Sequence, residues 1–165
     1  MERIEVYKAY FFDDTRYYAK VFEEHEQGKK ISFNFSAGFF GACWFLYRKM
    51  YLEGFIIWII SAVLSLIIDH IVVSFEIDNH GLSSMLSNII FIVISFPTWS
   101  FLGNYFYIRK SQRIVEPFLS THNLEELESK DMARLGLKGG TSYFAAFIPF
   151  ILLFILLALY FIIIR

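Results

Sequence analysis

The chain has 165 residues, of which 56% are hydrophobic and 20% aromatic, with a mean hydropathy of +0.49 and only 19% charged residues. That is too apolar for an ordinary water-soluble domain, and a length of this order fits one domain, 1–165. The net charge of −1 arises from basic residues scattered among acids, which does not suggest a nucleic-acid binder or a polybasic tail, and the single cysteine, Cys43, excludes an intrachain disulfide or a cysteine-based zinc site.

The first thirty residues are polar and charged, and the first long apolar run begins only near Ile31, unlike a cleavable leader. Within this segment Ile4, Val6, Tyr10 and Phe12 alternate in a way that predicts a short strand. Asp13-Asp14 can cap a helix over about Thr15–Gln27, whose stripe is Tyr17, Tyr18, Val21, Phe22 and His25, and Gly28 stops it. The apolar stripe must rest on headgroups, on the next helix or on a partner.

Residues 33–50 come next. Phe33 to Tyr47 is uncharged but only 15 residues long, too short to span a bilayer, so it is expected to be an interfacial or re-entrant helix. On one continuous helix Phe33, Ala37, Phe40, Trp44, Tyr47 and Tyr51 fall near one face. Ala37 and Gly41 lie four apart, as do Gly38 and Ala42, and such small pairs let another backbone approach. Trp44, Tyr47 and Tyr51 suit the headgroup level and Arg48-Lys49 could meet lipid phosphates, so Phe33, Phe40, Trp44, Tyr47, Arg48, Lys49 and Tyr51 form the candidate lipid or partner surface.

Three spans follow, at 52–73, 84–107 and 143–164. The last, beginning at Tyr143, runs without a charge to Ile164, long enough for a hydrocarbon core of ~30 Å. Pro97 should kink the second and free the carbonyl of Val93, which Ser95 or Thr98 could help satisfy. Between the second and third spans, 111–140 continues that helix through Ile114, Val115, Phe118 and Leu119. It then starts a short helix at an Asn123–Glu126 capping box, ended by Gly136.

No lysine or arginine occurs between Lys49 and Arg109. With the N-terminus in the cytoplasm, fourteen of the 15 basic residues lie inside and only Arg165 outside, which predicts a multi-pass protein with its C-terminus outside. The outer loop gathers Asp69, His70, Glu76, Asp78 and His80. Two imidazoles and carboxylates could bind a divalent ion or relay protons, but the spacing matches no metal motif and solvated loop polarity is the plainer reading. No nucleophile, metalloprotease, phosphate-loop or dinucleotide pattern is present, so no catalytic residue, metal or cofactor is assigned.

The run Phe33-Asn34-Phe35-Ser36-Ala37-Gly38-Phe39-Phe40-Gly41, then Trp44, then Leu46-Tyr47-Arg48-Lys49-Met50-Tyr51, resembles a family of small bacterial integral membrane proteins classed as a domain of unknown function. Tyr17-Tyr18-Ala19-Lys20, Gly103-Asn104-Tyr105 and Gly139-Gly140-Thr141-Ser142 also fit, whereas Ala42 stands where a proline often follows the glycine. The resemblance implies several membrane helices, a place in the bacterial inner membrane and no established activity.

The resulting expectation is an all-α membrane protein: three transmembrane helices, an N-terminal amphipathic helix and an interfacial or re-entrant aromatic helix. Its expected function is non-enzymatic binding of a partner or lipid through the cytosolic face. The expected partners are the lipid bilayer, a membrane or cytosolic protein, or a second copy. The alternatives are a small transport subunit using Asn88, Pro97, Asn104 and Asp69, and a lipid-acting enzyme at Asp69, His70 and His80.

Overall fold

The computed structural model describes residues 2–12, 15–75, 79–122 and 127–163. The expected cap at Asp13-Asp14, the loop acids Glu76 and Asp78, the Asn123–Glu126 box and Arg165 lie outside these residues. Among the described residues the elements are all helical: α1 (Arg3–Phe11), α2 (Thr15–Glu26), α3 (Phe35–Phe40), α4 (Ala42–Tyr47), α5 (Tyr51–Val73), α6 (His80–Thr121), α7 (Ser129–Lys138) and α8 (Tyr143–Ile163).

The strand expected near the N-terminus is a helix. Its buried residues are Val6, Tyr7, Tyr10 and Phe11, adjacent pairs four apart, which is one helical face and not a two-residue alternation. The Tyr7 ring stacks on Phe22 of α2 at 3.9 Å, and Phe11 meets Tyr18 at 5.6 Å. On α2 the predicted stripe is buried at Tyr18, Val21, Phe22 and His25, while Tyr17 lies at its exposed edge.

At ~1.5 Å per residue, α5 and α8 are each about 32–35 Å long, matching a hydrocarbon core. The predicted second span is the upper part of a much longer rod. α6 runs 42 residues, about 63 Å, with Pro97 and Pro117 both inside it. Only half of such a rod fits an apolar slab of ~30 Å; the part beyond Arg109 carries Lys110, Gln112, Arg113 and Glu116 and is suited to water. Near Pro97 the Thr98 hydroxyl donates to the Ile94 carbonyl at 2.7 Å, one residue from the carbonyl expected to need help. Asn79 caps the start of α6 by accepting from the Leu82 amide.

α6 is the spine: α1, α2, α3 and α5 all pack against it, whereas α7 leans on α1 and α8 on α4. The short helix α7 begins at a different box from the expected one, with Glu128 and Asp131 capping each other's main chain. It is not ended by Gly136, which lies buried within it beside Phe12 and the Ala9 carbonyl. It ends at Gly139, where a Cβ would overlap the Tyr10 carbonyl oxygen and the Gly140 amide donates to that same oxygen at 3.0 Å. The absent side chain is what lets α7 lie directly on α1. Gly139→Ala should therefore separate α7 from α1 and cost about 1–3 kcal/mol, read as a lower melting temperature of the detergent-solubilised protein.

Candidate functional site

The aromatic segment is not the single helix its spacing predicts. It breaks at Gly41, whose φ of +50° lies in the left-handed region that favours glycine, and α4 starts at once from the other side of the turn. Ala37 before the turn and Trp44 after it both lie against Gly103 of α6, so the chain doubles back as a helical hairpin. This corrects the one-face reading: Phe33, Ala37, Phe40, Trp44, Tyr47 and Tyr51 do not share a face. The small residues do work as close-approach positions, but in separate places. A Cβ on Gly38 would overlap the Ser100 hydroxyl, one on Gly103 would overlap Ala37, and one on Gly54 of α5 would press on the Leu46 side chain and the Ala42 carbonyl.

The hairpin is rooted by a buried amide pair. The Asn34 side chain accepts from the Ala37 amide at 3.0 Å, capping α3, and its Nδ2 donates to Asn104 Oδ1 at 2.8 Å. Asn104 Nδ2 in turn reaches Tyr17 Oη and Ser32 Oγ, each at 2.8 Å, and the Asn34 amide donates to the Ser100 carbonyl at 2.8 Å. Asn104 is 1% exposed, so the transport reading loses it as a pathway residue. Sequence reasoning had no role for Asn34, Ser32 or Ser100. An asparagine just before a helical apolar run and a second one inside an uncharged span were the available signals.

The basic pair turns inward, against the expectation that it meets phosphates. Arg48 is 4% exposed, its guanidinium carbon 4.6 Å from the Tyr18 ring centroid and 5.3 Å from those of Tyr47 and Tyr107. Lys49 takes φ +56° at the second turn and donates to the Leu137 carbonyl at 2.8 Å. Lys110 of α6 donates to the Lys49 carbonyl at 2.7 Å. The reason is main-chain accounting: a turn placed between helices exposes carbonyls that need donors, and lysines supply them. Trp44 is likewise buried in the core, not at a headgroup level. Tyr47 is half-buried against Tyr143 of α8 at 5.2 Å.

The other side of the hairpin is open. Phe33, Phe35, Phe39, Phe40 and Tyr51 are exposed, and Phe33, Phe35 and Phe96 meet edge to face. A cleft of about 470 Å³ separates the hairpin from α8, bounded by Phe40, Cys43, Tyr47, Tyr143 and Phe147. A second of about 420 Å³ opens beside Tyr17, Tyr18, Phe33 and Asn34.

At the opposite end of α6, Arg3 bridges Glu26 at 3.1 Å and Glu116 at 2.5 Å, Tyr7 donates to the same Glu116 oxygen, and Gln112 donates to Glu26 at 3.0 Å. This ties α1 and α2 to the extension of α6. Asp69, His70 and His80 stand exposed at the far ends of α5 and α6. Among the described residues no three His, Cys, Asp or Glu side chains come together as a metal site would need.

Fold and site together define the class: a domain that is all-helical among the described residues, with three helices there long and apolar enough to cross a membrane and a buttressed aromatic hairpin between the first two elements and the first of those helices. The chain belongs to the family described as protein of unknown function DUF2628, whose family model matches residues 3–113. No curated protein and no solved structure matches it.

Two outcomes are expected. Asn104→Leu leaves Asn34, Tyr17 and Ser32 without their shared partner and should cost about 1–3 kcal/mol in detergent melting, while Asn88→Leu on an exposed face of α6 changes little. The second concerns pH. Burial raises the Glu116 carboxyl, but bonds from Tyr7 and Arg3 outweigh it and hold its pKa below the usual carboxylate range. Burial and Glu116 push the Tyr7 hydroxyl well up, so it remains a donor. A depressed folded pKa means that the unfolded carboxyl takes its proton first. The link is therefore at full strength above the ordinary carboxylate range and is lost as pH falls through the folded value. Hydrogen-exchange protection of α1 should hold from neutral pH to about 5 and drop below about 4. Glu116→Gln should lower protection at neutral pH and abolish the step.

Proposed function

We propose that the protein is a non-enzymatic, multi-pass membrane module that binds a lipid or a protein through the hairpin and the helical cap beside it. The observation that carries this reading is the two-sided character of the hairpin. Its inner side is fixed by the Asn34–Asn104 network and glycine contacts, while Phe35, Phe39 and Phe40 stay more than half exposed on the outer side. A rigid backing with an exposed aromatic front is how preorganised binding surfaces keep ordering costs low.

Orientation follows from the cations. The helices α1, α2 and α7 and the lower part of α6 hold ten of the 15 lysines and arginines, Lys29, Lys30, Arg48 and Lys49 lie in the turns beside them, and the far ends of α5 and α6 hold none among the described residues. We place the cap in the cytoplasm and the α5–α6 loop outside, in the inner membrane of a bacterium.

With Cys43 replaced by Ser, a single cysteine at His80 should react with a membrane-impermeant maleimide on intact cells and one at Ser129 should not. Labelling of the Ser129 site would reverse the orientation. For binding, a photoreactive residue in place of Phe39 or Phe40 should yield a discrete cross-linked species in native membranes. The same residue at Trp58, exposed on α5, should give only bulk lipid. Identical products from all three positions would remove the binding-surface reading.

A further inference from the structure

If the three long helices cross a bilayer as proposed, the hairpin has a definite depth. Gly38, before the turn, lies against the Ser100 hydroxyl and the Phe96 carbonyl of α6, and the Ala42 carbonyl, after it, lies beside Gly54 of α5. Ser100 is seven residues above Tyr107, and Gly54 three above Tyr51, the aromatic residues nearest the charged ends of those helices. These rises come to about 5–11 Å, inside the nearer half of a ~30 Å hydrocarbon core. The hairpin therefore enters from the side of the cap and turns round within that half. The main-chain turn this requires is tolerable because it is packed against α5 and α6 and not bare in lipid.

The two halves of the bilayer then meet different amounts of protein. In the half nearer the cap the section cuts α3, α4, α5, α6 and α8; in the other half only α5, α6 and α8 continue. A helix of ~10–12 Å diameter occupies roughly 100 Å², so the two arms add about 200 Å² to one leaflet alone. The surface they present to that leaflet is phenyl rings, and Ile31 to Tyr47 carries no charge.

From this asymmetry we infer that the protein is a one-leaflet wedge: its partner is the curvature of the bilayer, and it partitions to membrane whose cap-side leaflet is convex. Extra area in one leaflet is accommodated with least lipid compression where that leaflet is stretched outward.

The test uses the full chain with Cys43→Ser and a single cysteine at Ser129, reconstituted into phosphatidylethanolamine–phosphatidylglycerol vesicles of graded diameter. Molecules inserted with the cap outward are labelled by an impermeant dye, and those with the cap inward by a permeant dye after blocking. The cap-outward pool should rise in density by about twofold from the largest to the smallest vesicles, and the cap-inward pool should fall. Equal slopes or no slope for the two pools overturn the wedge. A second variant, Phe40→Cys carrying a fluorophore, should be quenched more by nitroxides on the acyl chains than by nitroxides at the headgroups. Strongest quenching at the headgroups would also overturn the wedge, and would do so even with the His80 and Ser129 labelling as expected. Failure of that labelling would instead remove the membrane-crossing orientation on which the inference rests.

Discussion

A chain that reverses direction among apolar helices must bond its own main chain where no water can help, and the architecture follows from how this is done. Asn34 supplies both needs at one end of the hairpin. Its side-chain oxygen caps α3, its Nδ2 donates to Asn104 Oδ1 of the spine, and its backbone amide donates to the Ser100 carbonyl. At the other end the second turn, at Arg48 and Lys49, leaves carbonyls that Lys110 covers from α6. Between these anchors the helices approach closely, Gly38 against the Ser100 hydroxyl and the Phe96 carbonyl and Gly103 against Ala37 Cβ and the Trp44 ring. Polar bonds fix the register and small residues fix the separation, so neither alone would hold so short a pair of helices.

The same logic orders the rest of the chain. α1 and α2 set Tyr10, Phe11 and Tyr18 around Tyr107, tilted or edge-on, close to where α6 leaves the apolar zone, so the spine is gripped at the level of the hairpin's root. α7 and α8 are then attached mainly to N-terminal elements: α7 to α1 across Gly139, α8 to α4 through Tyr47 and the Ser142 amide, which donates to the Tyr47 carbonyl at 2.7 Å. The family match ends at residue 113, inside α6 and before both. Residues 3–113 thus contain the hairpin, its two amide anchors and the ring cluster that grips the spine, a unit with its own internal logic to which the last helices are added.

What could be read from the sequence was what depends on the length of uncharged runs. α5 and α8 fall where their apolar stretches lie, and the continuation of α6 past Arg109 was visible in Ile114, Val115 and Phe118. Periodicity failed where it was shorter than the pattern it had to establish. In α1, choosing Ile4, Val6, Tyr10 and Phe12 as the apolar set hid the adjacent pairs that make a helical face. In the hairpin, spacing arithmetic assumed an unbroken helix, and Gly41 was counted as a small packing residue when its use is as a turn. The fate of Arg48 was not legible at all, because Tyr18 and Tyr107, which flank it, come from segments about thirty residues before and sixty after it.

That inward turn of the basic pair also bears on where the hairpin can sit. A guanidinium at the headgroup level would fasten the second arm to the surface and make a shallow, interfacial pose natural. With Arg48 instead facing three tyrosine rings and Lys49 reaching the Leu137 carbonyl, the arm is held by the protein and not by phosphates. Nothing charged then remains between Ile31 and Tyr47 to oppose burial of Phe35, Phe39 and Phe40 in hydrocarbon. The internal use of the cations and the depth of the aromatic tip are therefore two consequences of one arrangement, in which charges near a turn serve its carbonyls and leave its outer face wholly apolar.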